Sequence, residues 1–139
     1  MNIEVLSELT PEAAKIRADV FMVEQGFSYD LDELDKESAH LLVYEAGVPV
    51  GTCRFYRSAE ASDEFILGRL AVLKEFRGQH YGAELMKAAH DLVRIMGGTK
   101  VTLSAQVQAQ PFYEKLGYTV SGGEHDEEGC PHVYMSRSL

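Results

Sequence analysis

The sequence predicts an α/β fold in a single domain that covers residues 1–139. The chain length suits one hydrophobic core, and strand-like apolar runs alternate with helix-like apolar periods. No internal repeat or low-complexity tract interrupts this alternation. The pattern favours a mixed sheet with helices packed against it.

The first third of the chain predicts a strand, a helix and a loop. Residues 3–6 are apolar enough for a short strand. Thr10-Pro11-Glu12 is typical of a helix start, because Thr caps, Pro fits the first helical position and Glu suits the positive end. The apolar face of this helix extends to about Val23. Residues 25–38 mix Gly, Asp and Glu without a period and predict a loop with room for one helical turn.

The remainder of the chain predicts strands separated by two helices. The strands fall at 41–44, 50–55, 65–72, 101–103, 118–120 and 132–135. The clearest helix covers 81–96, stops at Gly97-Gly98, and carries apolar residues at helical spacing, namely Leu85, Ala89, Leu92 and Met96. A shorter helix precedes Leu116-Gly117.

The acidic composition limits the classes of partner. The formal net charge is −9, which disfavours a nucleic-acid partner and, if it bears on substrate choice, favours a cationic amine. No apolar run is long enough to span a bilayer and no signal peptide is evident, so we expect a cytoplasmic protein without a membrane partner. Cys53 and Cys130 suggest neither a disulfide framework nor a metal site.

The most informative segment runs from Leu70 to Met86, where an apolar strand enters a polar turn with two glycines and a helix follows. A helix start offers unpaired N–H groups and partial positive charge, and glycine lets an anion approach the backbone. Arg77 adds a charge for such an anion. The segment is consistent with an anion site and equally with a plain strand–turn–helix. The P-loop and dinucleotide-binding patterns are both absent.

Two motifs resemble the GNAT acyltransferases. Residues 77–82, Arg-Gly-Gln-His-Tyr-Gly, are similar to the pyrophosphate loop Arg/Gln-x-x-Gly-x-Gly/Ala of that family, with His80 where the family has Gly. Residues 109–118 resemble its A-x-x-F-Y-x-x-x-G-F/Y segment. Further blocks resemble the YjcF/ElaA-like branch of the family, at 17–25, 32–35, 51–54, 68–72 and 128–135, together with His40.

The resemblance implies a GNAT acyl-CoA N-acyltransferase fold with a splayed mixed sheet. It implies direct transfer of an acetyl group from acetyl-CoA to the amine of a small molecule or peptide, without a metal. The alternative is a non-catalytic domain that binds or senses acyl-CoA. The acceptor, the acyl length and a homodimer are left open. The residues that it implies for the cofactor are Leu70, Ala71, Val72, Arg77, Gly78, Gln79, His80, Tyr81, Gly82, Ala83 and Tyr113.

The resemblance also implies a general acid and a general base. On its own segment Tyr113 is a packing aromatic, but with both motifs in order we expect its phenol to protonate the CoA sulfur. Glu24, His40 and His132 are the candidate bases, acting directly or through water, and Glu24 is slightly favoured. We expect them to converge at the mouth of the split sheet. Each also has a plain interpretation, as a solvated acid or a strand-end histidine.

The remaining polar residues are assigned less specific roles. His90 and His125 are predicted to lie on the surface, His125 in a loop. Arg54 and Arg69 interrupt apolar strands, and a buried guanidinium needs a partner. They bind an anionic group of the acceptor, or they pair with Asp32, Glu33 or Asp35.

Overall fold

The computed structural model describes all 139 residues, which form one seven-stranded mixed sheet. The spatial order is β1-β2-β3-β4-β5-β7-β6, and only the β4–β5 pair is parallel. This confirms the predicted mixed sheet with helices. The strands are β1 (Asn2–Leu6), β2 (Ala39–Glu45), β3 (Val48–Arg57), β4 (Glu64–Val72), β5 (Lys100–Gln106), β6 (Thr119–Glu127) and β7 (Cys130–Ser138).

Three α-helices accompany the sheet: α1 (Pro11–Arg17), α2 (Tyr81–Ile95) and α3 (Gln110–Lys115). Thr10 caps α1 by accepting the N–H of Ala13 at 3.3 Å, as the start signal predicts. α1 continues directly into a π-helix, Ala18–Glu24, and 3₁₀ turns cover Glu33–Glu37, Lys74–Phe76 and Val107–Ala109. No helix is both long and apolar enough to cross a membrane.

The two longer helical elements lie on opposite faces of the sheet. α2 packs on the large core, in which Leu41 and Val43 of β2 are fully buried. α1 and the π-helix pack on a second cluster that contains the intervening Leu42. Because successive strand residues point to opposite faces, the alternation along β2 assigns the two clusters to the two sides.

β4 and β5 are paired along only part of their length. Their register contains three pairs, Glu64↔Lys100, Phe65↔Val101 and Ile66↔Thr102, after which the strands diverge. On its other edge β4 carries a bulge. Thr52 pairs with Ala71 and Arg54 with Gly68, so two β4 residues, one of them Arg69 at φ +52°, lie opposite Cys53. A bulge of this kind bends the strand that carries it.

The prediction that His90 lies on the surface is wrong. Only 3% of His90 is exposed, its Nε2 lies 2.6 Å from the Tyr118 hydroxyl, and Arg137 donates to its Nδ1 at 3.2 Å. Burial, with the nearby charge of Arg137, lowers the pKa of His90 to about 4. The core face of α2 is therefore rotated from the predicted one and consists of Leu85, Met86, Ala89, His90 and Val93, with Tyr81.

The last two strands are much longer than predicted. β6 and β7 form one hairpin that turns at Glu128-Gly129, and His125 lies on β6 rather than in a loop. β6 is an edge strand whose residues are mostly exposed or half-buried, so it lacks the apolar alternation that identifies a strand in sequence.

Candidate active site

A cleft of about 800 Å³ opens where β4 and β5 diverge. β4 contributes residues 66–70 to its lining, and Leu103, Ser104 and Gln106 of β5 lie opposite. Phe112 and Tyr113 of α3 also line it, as do residues of the loop between the π-helix and β2 and of the β6–β7 hairpin. Beyond Ile66 the β4 edge that faces the cleft has no strand beside it, so its backbone groups are available to a bound molecule.

The turn before α2 presents free backbone N–H groups, although of the residues predicted to hold the cofactor only Leu70 and Tyr113 line the cleft itself. Gly78 (φ +80°) and His80 (φ +70°) are left-handed, and neither they nor Gln79 donate a backbone hydrogen bond within the chain. No side chain caps α2, so its first-turn N–H groups are also open. A Cβ on Gly82 would lie 3.4 Å from the ring of Phe112, which shows that the helix start adjoins the cleft wall.

The left-handed conformation of His80 gives a physical reason for glycine at this position in similar sequences. A non-glycine residue with φ near +70° has its Cβ close to the following carbonyl, which glycine avoids. His80 takes this left-handed conformation although it carries a Cβ.

Arg77 and Glu24 bind each other. The two guanidinium nitrogens Nη1 and Nη2 donate to the two carboxylate oxygens of Glu24, both at 2.6 Å, and Nε donates to the carbonyl of Val72 at 3.0 Å. The hydrogen bonds from Arg77 lower the pKa of Glu24. Neither residue lines the cleft. The pair joins the end of the π-helix to the turn before α2.

Tyr113 lies where the sequence motif predicts, in the cleft near the split between the strands. It is 9% exposed and packs edge-to-face on Phe112 and Tyr118, with ring centroids 5.1 and 5.9 Å apart. Burial raises the pKa of Tyr113 well above its ordinary value, so the phenol keeps its proton at neutral pH. A protonated phenol in this cleft can serve as a proton donor.

The three candidate bases do not converge. His40 is 1% exposed, its Nε2 lies 2.9 Å from the carbonyl of Asp35, and it does not line the cleft. Glu24 is occupied by Arg77. His132 does line the cleft, and its Nδ1 lies 2.8 Å from the carbonyl of Cys130. Because a carbonyl only accepts, Nδ1 carries the hydrogen and Nε2 has the free lone pair.

The β6–β7 hairpin brings three carboxylates to the same cleft, at Asp126, Glu127 and Glu128. Glu127 accepts from the Ser104 hydroxyl at 2.7 Å and lies 2.9 Å from Nε2 of His125. Burial raises the pKa of Glu127, but these two contacts outweigh it and the net pKa is lowered. Sequence reasoning missed these residues, although an acidic run just before a Glu-Gly turn is visible in the sequence.

The opposite wall is stabilised by a network of three arginines and three aspartates, of which Asp32 and Arg69 are partly exposed and the other four buried. Its members are Arg17, Arg54, Arg69, Asp30, Asp32 and Asp35. Arg17 is the least exposed, at 1%, and donates to Asp30 at 2.8 Å and to Asp35 at 2.7 Å. Burial raises the pKa of Asp35, but hydrogen bonds from Arg17 and then Arg54 outweigh it, and the net pKa is well below the ordinary value.

Arg54 and Arg69 belong to this network and also line the cleft. Arg54 donates to both carboxylate oxygens of Asp32, at 2.5 and 2.9 Å, and to Asp35 at 2.8 Å. Arg69 lies 3.0 Å from Asp30 and 3.2 Å from Asp32. The pairing with Asp32 and Asp35 that the sequence allowed is therefore present, and Glu33 takes no part in it.

Two contacts join the loop after the π-helix to the far side of the cleft. The Ser28 hydroxyl donates to Glu128, and Gln106 donates to the side-chain oxygen of Gln25 at 2.8 Å. The loop is thus held over the cleft from both sides, by the arginine–aspartate network and by these bridges.

The split sheet, with an uncapped helix start beside the split, defines the GNAT acyl-CoA N-acyltransferase fold. A family model described as "Acetyltransferase (GNAT) domain" matches residues 5–139, and the chain belongs to this family. It is 37% identical to the uncharacterized N-acetyltransferase YjcF of Bacillus subtilis, over 94% of this chain and 93% of that protein. It is 30% identical to Protein ElaA of Escherichia coli, over 90% and 84%.

Solved structures agree with this assignment. The crystal structure of Escherichia coli ElaA superposes with a TM-score of 0.86 and 28% identity, covering 98% of each chain. An acyl-CoA N-acyltransferase from Pseudomonas aeruginosa gives 0.85 and 27%, also with 98% of each chain covered. The fold alone is shared with an aminoglycoside 6′-N-acetyltransferase complexed with coenzyme A, at 0.77 and 16% identity over 99% and 97%.

Proposed function

We propose that this chain transfers the acetyl group of acetyl-CoA directly to the amine of a small molecule or peptide. One observation carries the proposal: the start of α2, which follows the free N–H groups of residues 78–80, adjoins the wall of a cleft that contains a buried, protonated tyrosine. The first feature suits a pyrophosphate and the second a leaving thiolate. Membership of a family of acetyltransferases supports the same activity.

Acetyl-CoA is a substrate here, and the residues predicted to hold it fall into two groups. The backbone of residues 78–83 would bind the pyrophosphate, since the N–H groups of residues 78–80 and of the first turn of α2 lack partners. The β4 edge at Leu70, Ala71 and Val72 would lie along the acyl-bearing arm and polarise the thioester carbonyl. The Arg77 side chain is bound to Glu24 and its backbone N–H donates to the carbonyl of Lys74, so the proposed pyrophosphate contacts begin at Gly78.

The reaction forms one C–N bond and breaks one C–S bond. The neutral amine attacks the thioester carbonyl, the nitrogen loses a proton to a base, and the departing thiolate gains a proton from Tyr113. No covalent intermediate on the protein is needed. Cys53 is fully buried, with its pKa raised by burial to about 12, which is unsuited to nucleophilic attack.

We propose His132 as the base, in preference to the two other candidates. Its Nε2 carries the free lone pair and the residue lines the cleft. Glu24 and His40 are held by Arg77 and by the Asp35 carbonyl, away from the lining. Arg54 and Arg69 have carboxylate partners, so we propose that they shape the acceptor wall and do not bind an anionic acceptor group.

The test separates binding from turnover. Acetyl-CoA at a hundred times its dissociation constant should stabilise the purified protein by about 2.7 kcal/mol, read as a rise in melting temperature. Thiol release with a panel of amines, and mass spectrometry of the amide product, should then show transfer. Stabilisation without thiol release from any amine would mean that the chain binds acyl-CoA without transferring the acyl group. No stabilisation at millimolar acetyl-CoA would refute the proposal altogether.

A further inference from the structure

The cleft has one electrically balanced wall and one negative wall. On the loop side, Asp30, Asp32 and Asp35 face three arginines, and each carboxylate has an arginine within 3.2 Å. On the hairpin side, Asp126, Glu127 and Glu128 have no Lys or Arg partner, since none of the chain's lysine or arginine ion pairs reaches them.

The contacts of the three hairpin carboxylates leave their charge in place. Asp126 accepts from the backbone N–H of Gly129 at 2.7 Å, Glu127 from the Ser104 hydroxyl, and Glu128 from Ser28, while Nε2 of His125 lies 2.9 Å from Glu127. The amide and hydroxyl donors carry no net charge and therefore do not neutralise the carboxylates. All three residues line the cleft, so a cation that enters it meets three carboxylates that no lysine or arginine compensates.

His132 is a second, independent sign that a ligand belongs here. It is 6% exposed, and with Nδ1 bound to the Cys130 carbonyl its Nε2 is left without a hydrogen bond. The nearest carboxylate oxygen, Oε1 of Glu127, is 3.8 Å away, which is beyond hydrogen-bond distance. A nearly buried ring with a free lone pair, in a cleft lined by carboxylates, suits an N–H donor.

We infer that the acceptor is a diamine: an alkylamine that carries a second positive charge besides the amine that reacts. The inference rests on the proposed acetyl transfer for the role of the first amine. The reacting nitrogen lies toward His132, and the second ammonium group lies among Asp126, Glu127 and Glu128. Phe27 and Tyr29 lie in the loop between the π-helix and β2, which we call the covering loop. Both residues line the cleft and offer apolar surface for the alkyl chain.

Measurement of ligand affinity tests the acceptor class independently of acetyl transfer. Titration calorimetry on the full chain would compare 1,4-diaminobutane with 4-aminobutan-1-ol, which has a similar length and one charge fewer. We expect the diamine to bind at least about tenfold more tightly at low salt, and the ratio to shrink as salt screens the carboxylates. Equal affinities for the two compounds would overturn the inference.

Matched substitutions locate the effect. Glu127→Gln and Asp126→Asn should each lower diamine affinity about fivefold and leave that of the amino alcohol nearly unchanged, as loss of one half-exposed ion pair predicts. Glu124→Gln is the control, because Glu124 lies exposed on the same strand, outside the cleft. If Glu124→Gln and Glu127→Gln had the same effect, general charge and not this site would be responsible.

Turnover distinguishes failure of this inference from failure of the proposed function. Equal kcat/KM values for the acetylation of butylamine and of 1,4-diaminobutane would overturn the diamine preference. The proposed acetyl transfer would still stand. Selective diamine binding with no thiol release from any amine would leave the binding site standing and overturn the transfer.

Discussion

Arg17 provides the sharpest test of how the covering loop is held. It is 1% exposed and donates four hydrogen bonds, to the carboxylates of Asp30 and Asp35 and to the carbonyl of Asp30. Arg17→Met keeps a long side chain and removes the charge, so two buried carboxylates lose part of their compensation. Breaking a buried pair typically costs about 3–5 kcal/mol, and we expect about 3 because each aspartate keeps another arginine.

Urea denaturation followed by circular dichroism would measure this loss. Arg94→Met is the matched control, because its pair with Asp91 is 45% and 61% exposed and should contribute less than about 1 kcal/mol. A loss for Arg17→Met no larger than that of the control would refute the view that this network holds the loop.

The same network predicts how stability depends on pH. The folded pKa of Asp35 lies below its unfolded value of about 3.9, so its contribution is full above that value. It should be lost as the pH falls from there toward the folded pKa, because unfolding then takes up a proton. The stability difference between wild type and Arg17→Met should narrow over the same interval.

Three further substitutions test the proposed chemistry. Tyr113→Phe should lower kcat by about 10²-fold with little change in the KM for acetyl-CoA. Tyr44→Phe, which lies outside the cleft, should behave as wild type. A wild-type rate for Tyr113→Phe would show that Tyr113 is not the general acid. Gly82→Glu should raise the KM for acetyl-CoA about tenfold or more, because it places an acid at the helix start. Gly82→Ala, whose Cβ makes only an ordinary contact, should leave this KM unchanged. Equal KM values for the two variants would refute a pyrophosphate site at the start of α2. His132→Gln should lower kcat. It should also abolish the fall of kcat/KM at acid pH, which protonation of a histidine base produces. An unchanged pH profile would mean that no protein base is needed, because water removes the proton or the acceptor arrives neutral.

The sequence predicted the mixed sheet and the order of its strands and helices because these depend on local patterns, whereas the position of Tyr113 followed from the resemblance to the GNAT family. It did not predict the role of Arg17. Charged residues are expected on the surface, yet Arg17 shares a helix face with the buried Ala13 and Val20. Its partners are 13 and 18 residues away, across a segment without regular periodicity, so pairing could be recognised only in three dimensions.

The acidic hairpin was missed for a different reason. Strand prediction depends on apolar alternation, and β6 has little because it lies at the sheet edge. Once 121–127 is taken as a loop, Asp126 and Glu127 appear as solvated acids and not as the lining of a cleft. His90 was misplaced because the apolar period chosen for α2 was displaced around the helix by nearly one residue position.

The three pairs between β4 and β5 have a consequence for the cohesion of the molecule. They are the only ladder that joins the four strands β1–β4 to the three strands β5–β7, and we call this short ladder the seam. The backbone amides of that ladder should report by hydrogen exchange how often the two half-sheets part. A molecule that fills the cleft contacts both half-sheets at once and therefore holds them together for as long as it is bound. Its binding should slow exchange at Phe65 and Val101, which pair within the seam and lie outside the cleft lining.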